Sequence, residues 1–362
     1  MYLRRITVNN FKNIRAAAAD FSPKLNCITG MNGSGKTNLL DAIYYLSMSK
    51  SYFSNQDIYT ITHDEENSAV TGDYSREDGT SEKIALSLSK EGEKCVKRNG
   101  KSYQRLADHI GLIPIVMVSP YDTCLINESG EERRKFLNAM ISQTDREYLR
   151  RVQNYNQLLA QRNKLLKGNS VYPDLLETLS ERLSYNASYI FEARRSFIKD
   201  FVPHVEKYYG QISGGSEVIG IDYKSDLERA PMEELLISSL ERDKVLKYTS
   251  AGIHRDDLGF TMNGNPIRKV GSQGQQKSFL ISLKLAQYSI FRDLHGKSPV
   301  LLLDDVFDKL DMNRVEYLLN LVASDYFGQI FITDSNKVRI GEILGKIDGD
   351  SKYIEVSGGV IL

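Results

Sequence analysis

The sequence predicts an α/β fold: a mixed-sheet unit shaped to hold a nucleotide phosphate, interrupted by an antiparallel helical arm. Three stretches predict it. "GMNGSGKTNLLDAIYYL", starting at Gly30, sets a glycine-rich turn between a strand-like run and an amphipathic one. "PVLLLDD" is an apolar strand ending in Asp304 and Asp305. Between them, residues 145–197 repeat apolar side chains at three- and four-residue intervals, the period of packed helices.

In chain order, "YLRRITVNNF" and "KLNCITG" read as strands, the second feeding the glycine turn. Leu39, Leu40, Ile43 and Leu46 then share a helical face. Residues 65–104 read as hairpins, with an Asn-Gly turn in "KRNGKSYQ", and "IGLIPIVMVSP" as a buried strand. From Asp145 to about Lys167, Leu149, Val152, Leu159 and Leu166 form a seam, with Asn156 and Asn163 at alternate positions. "KGNSVYP" breaks the run, and Leu176, Leu179, Leu183, Asn186, Ile190, Ala193 and Phe197 continue on a second helix. Two such helices joined by a short loop pack antiparallel, and the first is roughly 35 Å long. Strands return near residue 215 with "EVIGIDY" and the hairpin "DLGFTMNGNPIRKV". The helix "QQKSFLISLKLAQYSIFRDL" and the strands "PVLLLDD" and "QIFITDSN" follow. The expected division is a head of 1–127 plus 209–362, with an arm insertion of 128–208.

Composition narrows the class. The 362 residues carry 47 basic and 47 acidic side chains, so any grip on nucleic acid must come from a local basic surface or one assembled by oligomerisation. Cys27, Cys95 and Cys124 are odd in number and form no CxxC pair, which argues against a disulfide framework or zinc site. The apolar runs are strand-length, well short of the ~20 residues of a membrane span. No signal-like apolar block follows the N-terminal arginines, and a cytoplasmic setting with no membrane partner is expected.

The chemistry lies in three places. Gly30, Met31, Asn32, Gly33, Ser34, Gly35, Lys36 and Thr37 spell G-x-x-x-x-G-K-T. Such a loop turns backbone N–H groups toward phosphates, its lysine reaches the β/γ oxygens, and its hydroxyl ligates Mg²⁺. ATP and Mg²⁺ are therefore the expected cofactors. Asp304 and Asp305 end a strand at the carboxyl edge of the sheet, Asp304 placed to hold the metal and Asp305 to polarise the attacking water. Alone they read equally well as turn or capping aspartates. Ser272, Gln273, Gly274 and Gln275 stand where a helix begins, so Ser272 can act as an N-cap or as part of an anion site.

The order of loop, Ser-Gln-Gly-Gln-Gln run and "LLLDDVF" strand resembles the ABC-type ATPases of the SMC-like group, in particular their bacterial recombination and repair branch. So do "NNFKNI", "FSPKLNCITGMNGSGKTNLLDAIYYLSMSKS", "ERRKFLN", "NQLLAQRNKLLK" and "AGIHRDDLGFTMNGNPIRKVGSQGQQKSF", which together span nearly the whole chain. The resemblance implies an ABC-type P-loop head and an ATP-dependent head-to-tail homodimer in which Ser272 completes the partner's site. It places Asp308 and Asp311 at the dimer seam and Thr333 or Asp334 at the position of a γ-phosphate sensor. It further implies slow ATP hydrolysis, double-stranded DNA at gaps or junctions, and a RecR-like mediator protein as partner. Two departures stand out: Gly252-Ile253-His254 where the family has Gly-Pro-His, and Pro120-Tyr121-Asp122 where it has Pro before two acidic residues. The second leaves Asp122 a weak metal-sensing candidate. His254, Arg255, Asp256 and Asp257 read either as a solvated turn or as a structural or interface element.

Residues 145–168 hold six basic side chains against two acidic ones, and Arg146, Arg150, Arg151, Arg162 and Lys164 are the DNA candidates. A solvated helix face is the plainer reading of such a run. No base-reading element is visible, so backbone charge and duplex shape are the expected mode. Two rivals remain. A transporter ATPase subunit places its lysine and signature serine much closer than Lys36 and Ser272, which lie about two-thirds of the chain apart. A structural SMC tether needs a far longer coiled coil and a CxxC hook near Gly168.

Overall fold

The computed structural model describes residues 1–76, 78–168, 173–215, 217–308, 310–336, 338, 341, 345 and 350–361. The chain forms two compact units. Met1–Asp122, Gln211–Ser213 and Gln273–Leu362 make the first, and Thr123–Gly210 with Gly214–Ser272 make the second.

The first unit holds two six-stranded sheets. One is antiparallel and joins β1 (Tyr2–Phe11), β2 (Ile14–Asp20), β4 (Asn67–Ser75), β5 (Ser81–Ser89), β6 (Lys94–Arg98) and β7 (Lys101–Ser102) in the order β2-β1-β4-β5-β6-β7. Burial alternates along β5, as one-sided packing requires. The other joins β3 (Leu25–Thr29), β8 (Ile115–Val118), β12 (Val300–Asp304), β13 (Ile330–Asp334), β14 (Ser351–Ser357) and β15 (Val360–Ile361) in the order β15-β14-β3-β13-β12-β8. Strands β14, β3, β13, β12 and β8 run parallel, and only β15 returns antiparallel. β3, β8, β12 and β13 are buried at every position, in keeping with their mostly apolar sequence; Asn26 and Thr29 in β3, Asp304 in β12, and Thr333 and Asp334 in β13 are the polar exceptions. Helices α1 (Lys36–Met48) and α9 (Gln273–His295) pack here, α9 with every residue from Ser278 to Phe291 buried. α10 (Met312–Ala323), β14 and β15 had no counterpart in the sequence reading.

The second unit contains α2 (Cys124–Asn127), α3 (Gly130–Thr144), α4 (Arg146–Lys167) and α5 (Pro173–Ser213), whose last turn counts with the first unit. It also holds β9 (Ile219–Lys224), α6 (Met232–Ser238), α7 (Leu240–Leu246), β10 (Asp257–Met262), β11 (Asn265–Pro266) and α8 (Ile267–Val270). Residues 214–272, expected in the head, therefore group with the helices. The cause is the sheet β11-β10-β9, which packs on α3. α4 and α5 are antiparallel: the Tyr189 hydroxyl donates to Asp145 at 2.8 Å and Arg151 donates to the Tyr185 hydroxyl at 2.9 Å. The expected loop over 169–172 lies outside the described residues.

The α4 seam sits one position earlier than expected. Its buried residues are Tyr148, Arg151, Tyr155, Leu158, Arg162 and Leu166, while Leu149, Val152 and Leu159 are only half-buried. Two arginines and two tyrosines are buried because partners meet their polar tips, a pattern that apolar periodicity does not register. On α5, Leu176, Leu179, Leu183, Asn186 and Ile190 are buried as expected; the stripe then passes to Arg194 and Ile198, leaving Ala193 and Phe197 half-buried. Among the described residues no helix is long and apolar enough to cross a membrane.

Candidate functional site

β3 delivers the chain to Gly30, and α1 begins at Lys36 with no acidic residue in its first turn, which suits an anion at its N-terminus. Gly30 has φ of +155°, and a Cβ there would lie 2.2 Å from the Val356 carbonyl oxygen, so the turn can pass under β14 only without a side chain. The Lys36 ammonium donates to the carbonyls of Gly30 (2.9 Å) and Met31 (3.2 Å), which holds it inside the loop. The Ser34 hydroxyl is buried with no hydrogen-bond partner, a donor left for a ligand of the loop.

Asp304 ends β12 fully buried beside this loop. Its carboxylate accepts from the Thr37 hydroxyl at 3.0 and 3.1 Å, from Thr333 at 2.7 Å and from Ser119 at 3.5 Å. Burial raises its pKa above the usual carboxylate value, against the hydroxyl donors and Lys36. One carboxylate and one hydroxyl at this spacing fit Mg²⁺, which takes few protein ligands and completes its shell with phosphate and water. Asp305 follows in the left-handed region, φ +45°, where a residue with a Cβ is uncommon. Its N–H donates to the Thr333 hydroxyl at 3.1 Å, so Thr333 buttresses both aspartates. Burial, then the Asp304 charge, raise the Asp305 pKa, while Lys36 and Lys277 oppose the rise.

Ser272 is exposed and directly precedes α9, and Gln273, Gly274 and Gln275 form that helix's first turn, again without an acidic residue. Asp308 is exposed. Asp311 caps α10, accepting from the Arg314 N–H at 3.0 Å and pairing with its guanidinium at 2.9 Å.

Several residues sit otherwise than the sequence suggests. Arg162 is 1% exposed and bonded at 2.8 Å to buried Asp243 and at 2.7 Å to Thr249, so it cannot reach a phosphate backbone. Arg151 is also buried, held by Glu147 at 2.6 Å and by Tyr185. Arg146, Arg150 and Lys164 are exposed, though Arg150 is paired with Glu147 at 2.6 Å. Asp122 is committed elsewhere: buried, it pairs with buried Lys284 at 3.0 Å, accepts from Tyr52, and caps the Ser119 N–H at 2.8 Å. His254-Arg255-Asp256-Asp257 is no solvated turn. His254 bridges Tyr155 and Thr249, Asp256 pairs with buried Arg194, and Asp257 pairs with Arg133 at 2.7 Å.

Other residues at the loop escaped the sequence reading. Asn13 contacts the Gly33 carbonyl at 3.4 Å and accepts from Asn38 at 2.8 Å. The Gly359 N–H, in the β14–β15 turn, donates to the Ser34 carbonyl at 2.7 Å. Asn13 lies inside the "NNFKNI" stretch, the one signal that could have marked it, whereas nothing in the local sequence marks Gly359.

Comparisons with known proteins agree with this geometry. A family profile described as the RecF/RecN/SMC N terminal domain matches residues 2–343. The DNA replication and repair protein RecF of Parabacteroides distasonis is 45% identical over 361 residues, covering 100% of this chain and 99% of its own. That of Bacteroides thetaiotaomicron is 44% identical over 362 residues, covering 100% and 98%. A solved structure of the recombination mediator protein RecF with ATP, in the RecFOR pathway, superposes with a TM-score of 0.89 at 32% identity, covering 100% of this chain and 97% of that one. The Smc head of Pyrococcus furiosus, at 17% identity and a TM-score of 0.56 over 99% and 95% of the two chains, shares the fold. With an ABC-type head, a phosphate loop facing paired aspartates, and full-length matches of this kind, the chain belongs to the RecF family of DNA replication and repair proteins.

Proposed function

We propose that this chain is an ATP-dependent DNA-binding protein of recombinational repair and replication restart. ATP joins two copies head to tail around double-stranded DNA at gaps, and slow hydrolysis releases them. The observation that carries the proposal is the single cluster of Lys36, Thr37, Asp304, Thr333 and Asp305 at the glycine loop. The solved RecF that carries ATP supports the choice of nucleotide.

Lys36 and the loop N–H groups hold the phosphates, and Thr37 with Asp304 would hold Mg²⁺. The metal would neutralise charge developing between the β- and γ-phosphates. Asp305 orients a water for in-line attack on the γ-phosphorus and takes its proton as the β–γ bridging P–O bond breaks, leaving ADP and phosphate. Ser272, Gln273, Gly274 and Gln275 of one copy face the γ-phosphate held by the other, which couples binding to dimerisation. Asp308 and Asp311 lie along the seam between copies. Arg146, Arg150 and Lys164 are the remaining candidates for phosphate-backbone contacts, and a RecR-like mediator is the protein partner suggested by the RecFOR relationship.

The solution mass of Asp305→Asn protein tests this, with and without ATP-Mg²⁺ and then with duplex DNA. The mass is expected to double only with ATP, and only the doubled species should bind DNA. Ser272→Arg should bind ATP and remain single. A single-copy mass throughout, with ATP demonstrably bound, removes the trans role of Ser272.

A further inference from the structure

Lys277 lies on α9, five residues beyond Ser272, and its ammonium reaches across to the segment after β12. It donates to the Asp305 carbonyl at 3.1 Å and to the Asp308 carbonyl at 2.6 Å, closing the 305–308 turn. The same helix grips the segment's far end: Arg314, capped by Asp311, donates to the Ser278 hydroxyl at 2.7 Å. Asp305 is thus held on both sides of its own peptide, by Thr333 at the N–H and by Lys277 at the carbonyl. That matters because its backbone sits in the left-handed region, which surrounding contacts must hold.

We propose that Lys277 is a positioning residue that ties the signature helix α9 to the water-activating Asp305 of the same chain. The inference rests on the hydrolytic role proposed for Asp305 above. A carboxylate hung on a left-handed elbow changes direction when the elbow relaxes, and small misplacements of a catalytic group cost large factors in rate. Any ligand that pulls on the N-terminus of α9, as a partner's nucleotide would at Ser272 under the proposed dimer, therefore acts on Asp305 through the lysine without touching the phosphate loop of its own chain. Lys277 stays outside the ATP-binding contacts, so its loss should leave binding intact.

The test compares wild type, Lys277→Met and Lys277→Arg by steady-state ATP hydrolysis, ATP affinity, and amide hydrogen exchange across residues 305–308 without nucleotide. Lys277→Met should lower kcat about 10- to 100-fold with KM changed less than about twofold. It should also speed exchange in the 305–308 turn, and Lys277→Arg should restore most of both. Unchanged kcat in Lys277→Met, or an equal loss of ATP affinity, overturns the proposal. A wild type that binds ATP without hydrolysing it would overturn the role of Asp305 instead. In that case exchange alone decides: a turn no faster in Lys277→Met refutes the tie.

Discussion

Arg162 illustrates how far a charged residue's role depends on what meets it. Its guanidinium bonds to Asp243 and Thr249 at 1% exposure, and Asp243 in turn accepts from the Ser250 N–H and hydroxyl at 2.9 and 2.6 Å. Removing one partner of a buried pair strands the other charge. Arg162→Met should therefore cost about 3 kcal/mol of unfolding free energy in urea titration. DNA affinity per folded molecule should be unchanged; a loss of DNA affinity at unaltered stability would return Arg162 to the binding surface. The sequence could not separate this arginine from Arg146 or Lys164, since all three lie in one basic run. What separates them is Asp243, 81 positions away along the chain.

At the scale of elements, the strand–loop–helix, the aspartate strand and the helix after Ser272 were legible because each is a local pattern with a local cause. An apolar run of strand length, a glycine turn and a helical face all appear within twenty residues. The support of the loop was not legible, because it comes from the far end of the chain. Gly359 has φ of +82°, and a Cβ there would sit 2.3 Å from the Asn13 carbonyl oxygen. Gly359→Val should displace the turn that donates to Ser34 and weaken ATP binding by about tenfold or more, or ~1.4 kcal/mol, measured by calorimetry. Affinity equal to wild type would mean the hairpin merely rests beside the loop. The misplaced α4 seam has a similar origin: buried Tyr148, Arg151, Tyr155 and Arg162 carry the stripe, and their polar ends hide it from a hydrophobicity count.

Across the whole molecule, each unit carries a histidine whose charged form is disfavoured by its surroundings, His109 buried and His254 half-buried. His109 donates its Nε2–H to the Leu46 carbonyl at 2.6 Å in the first unit, and His254 lies between the Tyr155 hydroxyl and the Thr249 carbonyl in the second. Burial lowers both pKa values below the ordinary 6.5. Below that pH the unfolded chain takes up protons that the folded chain refuses, so stability falls as the solution is acidified and is unaffected by these groups above it. The slope approaches about 1.4 kcal/mol per pH unit for each histidine. Urea midpoints measured from pH 7.5 to 5.5 should decline below about 6.5, and His109→Gln with His254→Gln should flatten that decline. An undiminished slope in the double variant would assign the acid sensitivity to other groups.

The order of strands has a consequence for how the protein is made. Among the described residues, the strand neighbours of β3, which leads into the phosphate loop, are β13 and β14, and Leu25 aligns with Ile330 and Ser351. A ribosome adding 5–20 residues per second therefore leaves this apolar strand without its neighbours for roughly 15–60 s. During that interval its two bare edges are open to any passing strand, and the second unit is synthesised in full. The strand that leads into the phosphate loop is thus the part of this sheet that waits longest for its partners.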